Sequence, residues 1–307
     1  MNLLHLKYAL EVAKTSSINK ASENLFMNQP NLSRAIKDLE ENLGISLFNR
    51  TSKGISVTEE GAKFLVYARS IVNQVDEIEN IYKNNGKKKS LFSVSVPRAS
   101  YISRAFVNFS KKAEKKSQIE FYYKETNAYR TIDNVTRGDY KIGIIRYNTV
   151  FEEHFKLLLA NKGLNHEVLS EFSHKVIISK NNELANKAYI SHRDLSNFIE
   201  IAHPDPYAPF IPISKVKEEE YSSLIDKRIF VFERGSQYDL LQDLPNTFIW
   251  ASPVPLDTLE KYNLVQIPCD VEDSLYKDVL IKEKNYSLSE LDKLFLDELF
   301  ATRDKYF

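Results

Sequence analysis

Apolar residues recur with a helical period through the first part of the chain. Leu3, Leu6, Leu10 and Ala13 fall on one face of a first helix. Ser17 is placed as the N-cap of a second, with Ala21 and Leu25 turned inward. Phe26, Met27 and Asn28 make a tight turn. A third helix starts near Gln29, with Pro30 in its first turn, where a missing N–H does no harm. Leu32, Ile36, Leu39 and Leu43 lie within about 60° of one another at about 100° per residue, and Arg34, Lys37 and Glu41 point the opposite way. Gly44 stops the helix. Short apolar runs at 47–50 and 55–57 flank Thr51-Ser52-Lys53-Gly54 as a hairpin. Thr58 then caps a long helix whose first turn carries Glu59 and Glu60. Within that helix Phe64, Ala68, Ile71, Val75, Ile78 and Tyr82 recur at steps of 4, 3, 4, 3 and 4, a heptad seam suited to pairing with a second copy. Asn84-Asn85-Gly86 ends it, and Lys87-Lys88-Lys89-Ser90 reads as a hinge.

From residue 91 strands and helices alternate. Strands are expected at 91–96, 119–123, 142–145, 175–179, 198–202, 229–232, 247–250 and 278–282. Helices are expected near 100–113, 127–137, 214–224, 236–243, 255–261 and 287–305. Such alternation indicates parallel-type α/β layers, and the length of the region indicates two lobes.

The chain has 307 residues, 43% of them apolar, so it can build more than one core. It shows no run of about 18 apolar residues, hence no expected membrane span. The N-terminus lacks the pattern of a signal peptide, so a cytoplasmic location is expected, with no membrane partner. One cysteine, Cys269, excludes an intramolecular disulfide and a cysteine-ligated metal. Net charge is zero, but residues 1–89 hold 13 Lys+Arg against 10 Asp+Glu. Recognition of any polyanion therefore has to rest on the placement of a few cations rather than on bulk charge.

That placement is specific. Helices, turn, basic hairpin and capped helix in this order make an N-terminal all-α winged helix-turn-helix followed by a long dimerisation helix. The third helix of such a unit lies in the major groove of double-stranded DNA. Arg34 and Lys37 sit one turn apart on its outward face. Gln29 can form paired hydrogen bonds with an adenine edge. Asn28, Ser33 and the free N–H groups of the first turn suit phosphate. Pro30 and Asn31 share that turn, and Arg50, Thr51 and Lys53 belong to the wing. The domain before the seam is too short to cover it, so a homodimer is expected, which would tether two reading heads.

An enzyme finds little support. The six histidines, at 5, 154, 166, 174, 192 and 203, have no metal-ligand spacing, and no GxSxG, P-loop or GxGxxG occurs. No cofactor and no metal are expected.

Residues 3–65 resemble the N-terminal region of LysR-type transcriptional regulators. The resemblance is carried by Ala21-Ser22-Glu23-Asn24-Leu25, Gln29-Pro30-Asn31-Leu32-Ser33, Ile36, Leu39-Glu40, Leu43-Gly44, Leu47-Phe48, Arg50 and Thr58-Glu59-Glu60-Gly61. The remainder is similar to the effector domain of that family in length and element order. Val176-Ile177-Ile178-Ser179-Lys180 and Leu264-Val265-Gln266-Ile267-Pro268 look like segments of it. Asn28 stands where the family more often has serine, and Lys141 where aspartate is common. The resemblance implies a DNA-binding domain at 1–58 and a linker helix with hinge at 59–89. It also implies a C-terminal two-lobe α/β effector domain at 90–307 resembling periplasmic binding proteins, with one lobe at about 90–160 and 266–307 and the other at about 161–265. It implies an inducer pocket at strand ends, built from Arg98, Ser100, Tyr101, Thr126, Asn127 and Arg146 of one lobe and His203, Arg234 and Ser236 of the other. Three arginines there point to an anionic small-molecule effector. The family also implies a dimer assembling further to a tetramer, and RNA polymerase as a further partner. A cytoplasmic small-ligand-binding protein without a regulatory DNA target stays open as the alternative.

Overall fold

The structure is a computed structural model that describes residues 2–51, 54–83, 90–115, 118–204, 225–270 and 275–307. The chain divides into two compact units, 1–89 and 90–307. The first unit opens with α1 (Leu3–Thr15), α2 (Ile18–Asn24) and α3 (Gln29–Leu43). Ser17 caps α2, its hydroxyl accepting from the Lys20 N–H. Phe26 bridges α2 and α3 at φ +51, a left-handed conformation that a bulky residue rarely takes, and its ring is 97% exposed. Leu32, Ile36 and Leu39 of α3 are buried against Ala9, Val12, Ile18 and Ala21, and burial of this kind contributes about 1.5–3 kcal/mol per large side chain. On α1 the deeply buried positions are Leu6, Ala9 and Val12; Leu3, Leu10 and Ala13 pack at the edge of that face.

The wing is an antiparallel hairpin of β1 (Phe48–Thr51) and β2 (Gly54–Val57), with Arg50 opposite Ile55. Glu40 of α3 accepts hydrogen bonds from the Leu47 and Phe48 N–H groups at 2.7 and 3.1 Å, so it fixes the wing to the third helix. α4 (Glu59–Lys83) follows. Thr58 caps it through the Gly61 N–H at 2.9 Å, and its own hydroxyl donates to the Ser46 carbonyl.

α4 carries two apolar faces side by side. Leu65, Ala68 and Val72 are buried, the latter two against Leu6 of α1, and Lys7 of α1 pairs with Asp76 at 2.9 Å. The expected seam is thereby corrected. Ala68 is fully buried and Phe64 partly buried within the unit itself, while Tyr67, Ile71 and Ile78 are exposed and Val75 is half-exposed. The side chain of Tyr82 and residues 84–89 of the expected hinge lie outside the described residues, as does the helix expected at 214–224, while Ser90 already belongs to a strand.

Among the described residues the second unit holds two five-stranded sheets. The first has the order β4-β3-β5-β12-β6, from β3 (Ser90–Val96), β4 (Ile119–Glu125), β5 (Ile142–Asn148), β6 (Leu164–Ser173) and β12 (Leu275–Glu283). α5 (Ser100–Ala113) and the C-terminal α10 (Glu290–Tyr306) cover one core, where Phe92, Phe109 and Phe295 cluster. α6 (Ala128–Thr136) and α7 (Glu152–Asn161) cover another core of this sheet. The second sheet has the order β11-β7-β10-β8-β9, from β7 (Lys175–Ser179), β8 (Ile199–Ala202), β9 (Lys227–Phe230), β10 (Thr247–Ala251) and β11 (Leu264–Ile267). α8 (Arg234–Asp243) and α9 (Leu256–Lys261) belong to this lobe.

The sheets are mixed rather than parallel throughout. β12 runs antiparallel to β5 and β6, and β7 runs antiparallel to β10 and β11. β6, α7 and β11 were not among the expected elements. β6 pairs with β12, so the chain crosses to the second lobe at His174, not near 161.

Gly61 sits where α4 passes the end of the α3–wing connection. A Cβ there would collide with the Leu47 backbone carbonyl and crowd the Thr58 hydroxyl. Gly61→Ala is expected to destabilise the first unit by about 1–3 kcal/mol, the usual cost of forced overpacking. Urea denaturation followed by circular dichroism checks this, and an unchanged midpoint contradicts it.

Candidate functional site

The outer face of α3 is open to solvent. Asn28 precedes the helix in an extended conformation and makes no side-chain cap, and Pro30 occupies the first turn. Gln29, Pro30, Ser33, Arg34 and Lys37 line one shallow groove together with Asp38 and Glu41. Gln29, Asn31, Arg34 and Lys37 are exposed, and Asn31 lies outside the groove lining. Lys37 reaches Glu41 at 3.4 Å, an exposed i,i+4 pair of small energetic weight. Arg50 and Thr51 sit on β1, but their side chains, like Lys53, lie outside the described residues.

In the second unit a cavity of about 80 Å³ lies between the lobes. Of the expected residues it gathers Arg98, Ser100, Thr126, Asn127, Arg146, His203 and Arg234. Two are placed elsewhere. Tyr101 follows Ser100 on α5 but turns into the core, where its hydroxyl donates to Asp278 at 2.6 Å. Ser236 faces solvent, because the inward positions of α8 are Gln237, Tyr238 and Leu241. Gln237 and Tyr238 line the cavity instead, with Pro97, His174, Trp250 and Ser252.

The three arginines are not equivalent. Arg146 makes a bidentate pair with Asp278, both bonds at 2.7 Å and both residues buried. Arg234 pairs with Glu125 at 2.6 Å and donates to the Ser100 hydroxyl at 2.6 Å and the Tyr238 hydroxyl at 3.1 Å. Arg98 donates to the Phe232 carbonyl at 3.3 Å. His203 bridges the Val231 carbonyl and Gln237 at 2.9 and 3.0 Å. Two of the expected anion-binding cations thus already have carboxylate partners.

Comparison with known proteins places this architecture. Residues 3–62 match the model of the bacterial regulatory helix-turn-helix proteins of the lysR family. The transcriptional regulator BenM of Acinetobacter baylyi is 41% identical over 83 residues, 27% of this chain and 27% of BenM. AlsR of Bacillus subtilis is 25% identical over 276 residues, 86% of this chain and 83% of AlsR. Full-length LysG of Corynebacterium glutamicum, solved with bound effector arginine, aligns with TM-score 0.60 at 14% identity over 100% of this chain and 99% of LysG, a likeness of fold. The helix-turn-helix end of the chain is that of the lysR family of bacterial regulators. The match to BenM spans only about a quarter of each chain, while the match to AlsR is long enough to run through both units.

His174 marks the crossover between the lobes. Its ring stacks on Tyr276 with centroids 4.0 Å apart and also meets Phe172. Enclosure by these rings, with the Arg146 charge nearby, pushes its pKa down from 6.5 to about 3. Burial and the neighbouring Asp270 push the Cys269 thiol up to about 12, so it is not a reactive thiolate near neutral pH. No helix among the described residues is long and apolar enough to cross a membrane.

The His174 environment has a pH consequence. Its folded pKa lies below the unfolded value, so between pH 6.5 and about 3 the unfolded chain binds a proton that the folded chain does not. Stability contributed by neutral His174 therefore falls as pH drops through that window, by at most about 1.4 kcal/mol per pH unit. His174→Phe keeps the ring stack and removes the proton. Urea denaturation at pH 7 and pH 5 is expected to show a smaller pH dependence in the variant, and an equal one contradicts the assignment.

Proposed function

We propose that the chain is a cytoplasmic, sequence-specific regulator that reads DNA with α3 as a dimer and is controlled by a small molecule in the interlobe cavity. The observation that carries this reading is the exposed α3 groove, which brings Gln29, Ser33, Arg34 and Lys37 to one surface. Arg34 has the geometry to bond a guanine edge, and Gln29 an adenine edge. Asn28, Asn31 and Ser33, with the first-turn N–H groups, suit phosphate, and Arg50, Thr51 and Lys53 of the wing suit the neighbouring backbone.

Dimerisation is assigned to the uncovered face of α4, namely Tyr67, Ile71, Val75 and Ile78, in place of a seam running through Phe64 and Ala68. Further assembly to a tetramer and contact with RNA polymerase belong to the same reading. So does the absence of catalysis, since the chain's relatives are named as regulators. The bound arginine of LysG makes a small-molecule effector reasonable here without naming it.

Arg34→Ala is expected to weaken binding to a duplex that the wild-type chain prefers by about 1–3 kcal/mol, and to weaken random duplex much less. Fluorescence anisotropy at fixed salt measures both, and equal affinity of variant and wild type for the preferred duplex removes Arg34 from base reading. No preference of the wild-type chain for any duplex would favour the ligand-binding alternative.

Ile78→Asp places a carboxylate where the protomer is 55% exposed, so folding is expected to persist. In a dimer the same carboxylate is buried without a partner, at a cost of several kcal/mol. Sedimentation should show monomers at low micromolar concentration. A dimer mass unchanged by the substitution shows that the pairing surface lies elsewhere.

A further inference from the structure

The two ion-paired arginines of the cavity are held in different ways. Arg146 and Asp278 face each other across the adjacent strands β5 and β12, so register within one lobe fixes that pair, and Tyr101 bonds it from below the cavity lining. Arg234 opens α8 in the second lobe, whereas Glu125 ends β4 and Ser100 opens α5 in the first. The Arg234–Glu125 pair is therefore a bond between lobes, and its side chains keep 14% and 20% exposure.

Arg234 sits in an electrostatically demanding place. α5 and α8 both begin at the cavity, and neither N-terminus has a side-chain cap. A guanidinium there adds a full positive charge to two positive dipole ends, and the Glu125 carboxylate offsets it. Two other groups point to a ligand. Thr126 of the first lobe and Ser252 of the second both line the cavity, are 4% and 1% exposed, and have hydroxyls without a hydrogen-bond partner among the described residues. These hydroxyls face the cavity with no protein partner, and a molecule bound between the lobes would give both a hydrogen bond.

Resting on the reading of this cavity as the effector site, we propose that Glu125 is an internal stand-in for the effector. It holds Arg234 and the two lobes together in the chain by itself. The effector is a small carboxylate that takes over at Arg234, with Thr126 and Ser252 bonding the rest of the molecule. The cavity of about 80 Å³ suits a compact compound. A charge-assisted bond to a planar guanidinium favours a carboxylate over its amide.

Trp250 is the chain's one tryptophan and lines the cavity, so its fluorescence reports binding directly. The full chain, Glu125→Gln and the double variant Thr126→Val/Ser252→Ala are titrated with acetate, lactate and succinate and with acetamide, lactamide and succinamide. Glu125→Gln keeps the shape and a hydrogen bond to Arg234 but removes the competing charge. It is expected to bind at least one carboxylate tenfold or more tighter than wild type, with no gain for the matching amide. The proposal is overturned if no carboxylate binds Glu125→Gln more tightly, including the case where none binds, or if the amides gain equally. The cavity reading is decided separately by the double variant. Fluorescence changes lost there keep the effector in this cavity whatever its charge, and changes that persist move it elsewhere.

Discussion

Helix α4 has one apolar face more than its own domain can cover. Packing of Leu65, Ala68 and Val72 at the α1 side fixes the helix to the reading head. Tyr67, Ile71 and Ile78 then remain in solvent on the adjoining face. In the proposed dimer a second copy covers that strip, and two copies bring two α3 helices to one duplex. On that proposal the few polar side chains on the outer face of α3 suffice for reading. The glycine at 61, the Thr58 cap and the Glu40 bonds to the wing all hold α3, the wing and α4 in register. In the proposed dimer the geometry of reading depends on how α4 divides its two faces.

The second unit solves a different problem, that of keeping charge in a cleft. Arg146 and Asp278 are a pair set by strand register, and Arg234 and Glu125 are a pair set by lobe closure. Only the second kind is sensitive to the distance between lobes. A ligand that substitutes for one partner can bias closure, because its affinity then differs between the closed and open arrangements. His174, neutral between aromatic rings at the crossover, adds no charge of its own to that balance near neutral pH.

Much of this was legible in the sequence, for identifiable reasons. The third helix, its Pro30 start and its Gly44 stop follow from local chemistry, and the structure places them at Gln29–Leu43 with Gly44 at φ +68. The seam on α4 was read as one stripe because positions 64, 68, 71, 75 and 78 span the boundary between two faces. Periodicity cannot tell which half a neighbour covers. β6 escaped because an edge strand tolerates a polar sequence such as Asn165-His166-Glu167. Strand ends indicated the cleft loops, yet only helix phase decides that Gln237 and Tyr238 face inward while Ser236 and Tyr101 do not. The pairing of Arg146 with Asp278 joins residues far apart in the chain, so three arginines read as available cations were, in two cases, already neutralised.

The most direct test of the account is selection of duplexes from a random pool by the full chain, followed by sequencing of the bound fraction. Paired α3 helices predict enrichment of an interrupted inverted repeat, with half-sites a whole number of helical turns apart. Enrichment of single half-sites alone, or no enrichment over the starting pool, would contradict it.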